Sequence, residues 1–167
     1  TLGAFNRMTG EISISTRVPV KDGQAYGMTF AHEFGHVVDS RVFGTGNHYG
    51  SEAFGATPAM GVFLRAVENS AWWQFMVAYA SRQQITQNMV TYLRYLATPR
   101  EIWARAYAQY IAVTSQDALL LRQLRSDVTA QTFQPGGAIP TQWDDADFVP
   151  IRDAIDALFR AEGLIAP

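Results

Sequence analysis

His32 and His36 stand four positions apart in FAHEFGH (30–36), with Glu33 directly after the first. Residues four apart on a helix share one face, a turn from each other, so both imidazoles can point at a single ion. Neutral imidazole suits zinc. Glu33 is turned about 100° around the helix axis. Its carboxylate therefore lies beside the ion without binding it, where it can take a proton from water. This is the physical content of an H-E-x-x-H motif, the zinc-peptidase signature. Gly35 leaves room for another element to approach the helix. Asp39, three residues beyond His36, could orient a ligand imidazole from behind. A solvated helix face can carry the same spacing. The ion is favoured because the motif falls in a predicted helix after a candidate strand and takes two of the three histidines.

A catalytic zinc wants a third protein ligand. The metzincin pattern needs Gly at 39 and His at 42, where this chain has Asp39 and Val42. His48 is one option, in a Gly-rich loop that would have to fold back. Glu101, in TPREIWARAYAQYIA (98–112), is another. Thr98-x-x-Glu101 equally fits a capping box, with Glu101 bonding back to the helix start. Residue types alone leave these readings open. Arg105, one turn after Glu101, reads as half of an exposed pair with Glu101 or Asp39, of small value. Trp72, Trp73, Trp103, Tyr107 and Tyr110 read as core aromatics.

The elements that must position these groups are mostly helical. EISIS (11–15) alternates Ile12 and Ile14 with polar residues, a half-buried strand. Lys21-Asp22-Gly23 is a predicted turn. A helix follows over 26–41, with Phe30, Phe34, Val37 and Val38 as core contacts and Gly44 beyond its end. Residues 44–55 form a Gly-rich loop. Pro58 opens a helix to Glu68, and Ser70 caps the next. AWWQFMVAYA (71–80) is apolar nearly all round and reads as core. Helices are predicted over 84–96, 98–113 and 116–127. Residues 131–143 read as a loop, and Asp147 as the cap of a last helix. That helix carries Ile151, Ile155, Leu158 and Phe159 on one stripe and stops at Gly163. The fold class expected is mainly α (α+β).

The chain has 167 residues, enough for one domain with a proper core. Apolar residues make up 48% and charged residues 17%, as in folded globular proteins. Net charge is −2, and no basic cluster invites nucleic acid or an anionic membrane. No apolar run reaches the length of a membrane span. With no cysteine, disulfides and thiolate zinc sites are excluded. A start at TLGAFNRMTG, without an initiator Met, reads as a domain cut from a longer chain.

HEFGHVVD together with EIWARAYAQY resembles the zinc-peptidase domain of the anthrax lethal factor type. It also resembles the metallopeptidase-like domains in large polyvalent proteins of phages and conjugative elements. The resemblance spans roughly 11–160, and its specific residues are 30–39 and 98–110. It implies a zincin-like fold of the gluzincin kind: a short N-terminal strand region, an active-site helix and a helical subdomain. It also implies that His32, His36 and Glu101 hold Zn2+ and that Glu33 is the general base. Tyr95 approximately matches a tyrosine that stabilises the oxyanion, with Tyr92 as competitor. The function so implied is a zinc endopeptidase acting on protein or peptide, as an effector, toxin or processing module delivered within a larger protein. The alternative is a zinc-stabilised structural or interaction domain without turnover. Glu33 favours catalysis, because a purely structural site has no use for it. The strand at 11–15 could pair with an extended substrate.

Overall fold

A computed structural model describes residues 2–15, 26–44, 48–53, 57–81, 85–129 and 139–166. The chain is mainly helical, with a two-stranded antiparallel sheet at the N-terminus. Strand β1 (Gly3–Asn6) pairs with β2 (Glu11–Ile14), setting Gly3 opposite Ile14 and Phe5 opposite Ile12. Asn6 closes the hairpin, its side-chain oxygen accepting from the Met8 and Thr9 amides at 3.0 and 3.3 Å. Gly10 takes the left-handed conformation, φ +77°, that such a turn demands of a glycine. The reading of 11–15 as a strand holds, but its partner β1 was not foreseen. The turn expected at Lys21–Gly23 lies outside the described residues.

Helix α1 (Gly27–Val38) carries the histidines. No side chain of its own caps it. Instead the Met28 amide donates to Gln123 Oε1 at 2.9 Å, so α6 (Ala118–Thr129) closes its first turn. Beyond Val38 the chain widens into a π-helical turn, Asp39–Phe43, where an α-helix to Arg41 was expected. Single π turns often mark functional sites.

Two of the four expected core contacts of α1 are wrong. Val38 is buried, but Phe30 is 51% and Phe34 40% exposed. The reason is competition for the inner faces of α1. His36 and Glu33 take one buried face, and the small residues Ala31 and Gly35 take the contact with α5 (Pro99–Ser115). The two rings are left outside, stacked on each other at 6.1 Å.

Helix α5 is the axis of the fold, buried at every position from Glu101 to Tyr110. It meets α1 where a Cβ on Gly35 would come within 2.9 Å of the Ala104 Cα. The Trp103 indole donates to the Gly35 carbonyl at 2.9 Å across the same contact. Gly35→Ala should therefore force the helices apart. We expect a loss of about 1–3 kcal/mol, the usual cost of overpacking, in chemical denaturation. A loss below about 0.5 kcal/mol would show that the crossing yields.

The main core surrounds Trp103, which contacts Phe43, Phe63 and Phe159 at ring separations of 5.1, 5.2 and 6.2 Å. It is filled from α2 (Pro58–Glu68) and α7 (Asp145–Ala161), whose Ile151, Ile155, Leu158 and Phe159 are buried as expected. In α3 (Ala71–Ala80) only Trp72 and Met76 are buried, so it is an edge helix and not an all-round core element. Ser70 caps it as expected, accepting from the Trp73 amide. Asp144, and not Asp147, caps α7, accepting from the Asp147 amide at 2.8 Å. The Asp147 carboxylate reaches across to α3, accepting from the amides of Ala71 (2.8 Å) and Trp72 (3.0 Å). Helix α4 (Gln87–Leu96) leads into α5.

Three residues of α5 spaced four apart are polar and buried: Glu101, Arg105 and Gln109. Gln109 binds Trp143 twice, donating to its carbonyl at 2.9 Å and accepting from its amide at 3.1 Å. Arg105 was expected on the surface, paired with a carboxylate. It is instead buried, and donates to the backbone carbonyls of Glu101 (3.0 Å), Thr141 (3.4 Å) and Leu96. Its guanidinium lies 4.8 Å from the centre of the Trp72 ring. Burial lowers its pKa to about 10, against the pull of the nearby Glu101 charge.

Candidate metal centre

The Gly35–Ala104 crossing lets the start of α5 face the middle of α1. There His32 Nε2 lies 3.5 Å from Glu101 Oε2, and His36 Nε2 lies 3.4 Å from Glu101 Oε1. One ligand atom from each of the three residues falls within 4.8 Å of the others. A tetrahedral zinc with bonds of about 2.0–2.1 Å holds its ligand atoms about 3.3–3.4 Å apart. Each imidazole nitrogen sits near that span from one of the two carboxylate oxygens, His32 from Oε2 and His36 from Oε1. The imidazole rings are edge-on, 89° apart with centroids at 4.9 Å, so they do not block each other.

Burial alone would raise the Glu101 pKa. Hydrogen bonds from His32, His36 and Tyr95 overcome it and hold the carboxyl well below the usual carboxylate range. An ionised carboxylate and neutral imidazoles are the protonation states that a metal needs. The capping box does not form. The Thr98 hydroxyl donates to the Tyr95 carbonyl at 2.9 Å, and the Glu101 side chain turns to the imidazoles. His48 is exposed and stands apart from the cluster.

Glu33 is buried beside the cluster, as its place in the motif requires. Burial raises its pKa; the two imidazoles lower it, Glu101 raises it, and the Phe5 amide, donating to the carboxylate, lowers it. Strand β1 comes so close that a Cβ on Gly3 would meet Glu33 Oε1 and Thr29 Cγ2 at 2.8 Å. The hairpin thus fixes the side chain from above.

Tyr95 lines the cavity of about 180 Å³ that contains His32, Glu33, His36 and Glu101; Tyr92 does not. Burial, then the bond to Glu101, raises the Tyr95 pKa well above its ordinary value. Asp39 does not take the expected role behind an imidazole. Its carboxylate accepts from the Ser51 amide at 2.8 Å and the Ser51 hydroxyl at 2.5 Å. Burial pushes its pKa up to about 6, with Ser51 pulling the other way. The bond ties the turn at Gly50–Glu52 to the end of α1. It also sets Tyr49, whose ring lies 5.8 Å from that of His36.

Tyr49, Arg100, Gly3, Ala4 and Phe5 complete the wall, and none was singled out in the sequence. The hairpin had a signal, Gly10 between two short runs with turn residues; Tyr49 and Arg100 had none. Larger hollows of about 520 and 360 Å³ lie elsewhere and contain none of the three clustered ligands. The candidate site is marked by its donors and not by its volume. Among the described residues, no helix is long and apolar enough to cross a membrane. No family model, curated protein or solved structure matches the chain.

Proposed function

We propose that the chain is a zinc-dependent endopeptidase domain, serving as an effector, toxin or processing module. The observation that carries this is the convergence of His32, His36 and Glu101 with a buried carboxylate, Glu33, beside them. Those three side chains would hold the ion. Zinc in such a site supplies a nucleophilic water at neutral pH and polarises a carbonyl. Glu33 takes the proton of the attacking water and passes it to the leaving amine. The Tyr95 hydroxyl, turned from Glu101 towards the substrate, donates to the carbonyl oxygen as that oxygen gains charge.

A peptide substrate is supported by the hairpin. The Ser15 amide donates to the Leu2 carbonyl, so Leu2 and Ser15 form a bonded pair. Opposed residues in an antiparallel ladder alternate between bonded and non-bonded pairs. Gly3 and Phe5 therefore turn their backbone groups away from β2, and both residues line the cavity. The Phe5 amide is held by Glu33, and an extended chain could pair with the other outward groups of Gly3 and Phe5 along that edge of β1. The sequence suggested 11–15 for this role, but no β2 residue lines the cavity.

The test is metal analysis of the zinc-reconstituted protein with a digest of a broad peptide library. We expect about one zinc per chain, as one three-ligand site requires, and cleavage that a chelator abolishes. An intact fold that takes up no zinc would defeat the proposal. Zinc bound without any cleavage would turn it to a structural site.

A further inference from the structure

Two arginines gather at the cavity wall beside His36, in a chain whose net charge is −2. Arg100 lines the cavity, one residue before Glu101, and its guanidinium carbon is 5.9 Å from the centre of the Tyr49 ring. The Arg7 guanidinium carbon lies 5.5 Å from the same ring. That ring in turn packs on His36 at 5.8 Å. Two guanidiniums are thus gathered on an aromatic side chain that touches a proposed zinc ligand. The Arg7 end is anchored, because Arg41 Nη2 donates to the Arg7 carbonyl at 3.1 Å.

The acidic group facing Arg100 is Glu52, at 3.6 Å, with side chains 41% and 32% exposed respectively. A pair at that distance and exposure is loosely held and easily exchanged. Asp39 and Glu52 act on the same Tyr49 ring as the two arginines, so the site rests on the reach and fork of Arg100 and not on an excess of charge. Arginine presents a planar fork that matches a carboxylate in two-point bonding.

We propose that Arg100, supported by Arg7 on the Tyr49 ring, forms a subsite for a carboxylate next to the scissile bond. The substrate class is then a peptide with an acidic side chain, or a free C-terminal carboxylate, at that place. This rests on the peptidase reading of the same cavity. Arg100 stands at the exposed mouth, so a substrate group can reach it without opening the fold. A cationic residue at that place would face both the ion and the arginines and be disfavoured.

The test uses zinc-loaded Glu33→Gln protein as a trap that binds without turning over. Peptides matched except for Glu against Gln, and for free acid against C-terminal amide, are titrated by fluorescence anisotropy. We expect one of the two carboxylate forms to bind about tenfold or more tighter than its neutral twin, the scale of a charge-assisted hydrogen bond. Whichever pair shows it identifies the source of the carboxylate. Arg100→Ala in this background should bring the ratio close to one with zinc content and melting temperature unchanged, and Arg100→Glu should invert it. Equal binding within each pair, no binding of any peptide, or a ratio that survives Arg100→Ala would overturn the subsite. The same peptides are offered to the wild-type protein. Cleavage without preference for the acidic form removes only the subsite, whereas absence of cleavage speaks against the peptidase itself.

Discussion

Glu33→Gln should keep its zinc and lose about 10²- to 10⁴-fold in kcat, the range supplied by a positioned general base. The amide matches the carboxylate in shape, so it still fits beneath Gly3. Its carbonyl oxygen can still accept from the Phe5 amide, which now bonds the carboxylate. What it lacks is the ability to accept the proton of water. The three clustered side chains are untouched, so metal content should equal wild type. Because the change removes a group needed in the transition state more than in binding, kcat and kcat/KM should fall together. Steady-state kinetics beside metal analysis make the comparison. Activity within a few-fold of wild type would sink the assignment of Glu33.

Glu101→Ala should weaken zinc binding by more than about 100-fold, the upper cost of losing only a residue that supports a ligand. His48→Ala should leave affinity unchanged. Glu101 is held by the first turn of α5 and by the His32, His36 and Tyr95 contacts, so it is already in place for an ion. His48 is exposed and stands apart from the cluster, so its backbone would have to move to bring it to the site. A helix cap is typically worth about 1 kcal/mol. Thr98, turned to the Tyr95 carbonyl, makes no such cap here. Zinc titration of both variants alongside their melting curves decides the matter. A Glu101→Ala protein that binds zinc like wild type would mean that the cluster is not a metal centre of this composition.

His32, Glu33 and His36 were readable because their relation is local: helical spacing alone sets which way they point. Glu101 could be named but not chosen from the residues. Its place beside the imidazoles depends on how α1 crosses α5, where Gly35 lies against Ala104 and accepts from Trp103. Gly35 itself was legible as a place of close approach. Gly3 and Phe5 reach the site through the docking of a hairpin, and Tyr49 through the Asp39–Ser51 bond. Neither leaves a periodic trace. The errors at Phe30 and Phe34 have a related cause: a pattern of apolar residues shows that a face is apolar, not that anything covers it. Asp147 was read as the cap of the last helix, a place that Asp144 takes; its carboxylate meets the first amides of α3 instead, since spacing cannot say whose amides a carboxylate meets. Arg105 was misplaced for a similar reason, because its acceptors are carbonyls from three separate stretches.

The paired bonds between Gln109 and Trp143 bear on how the protein breathes. Residues 139–143 have no regular structure, and such segments usually belong to the first parts of a protein to open. Here, lifting Trp143 away would strip both partners from an amide buried in the middle of α5. It would also pull the indole from Ser70 and the Thr141 carbonyl from Arg105. Leaving buried polar groups unpaired is costly enough to forbid that opening alone. The irregular stretch and the central helix should therefore come apart as one cooperative unit, placing a loop among the last regions of the chain to meet solvent.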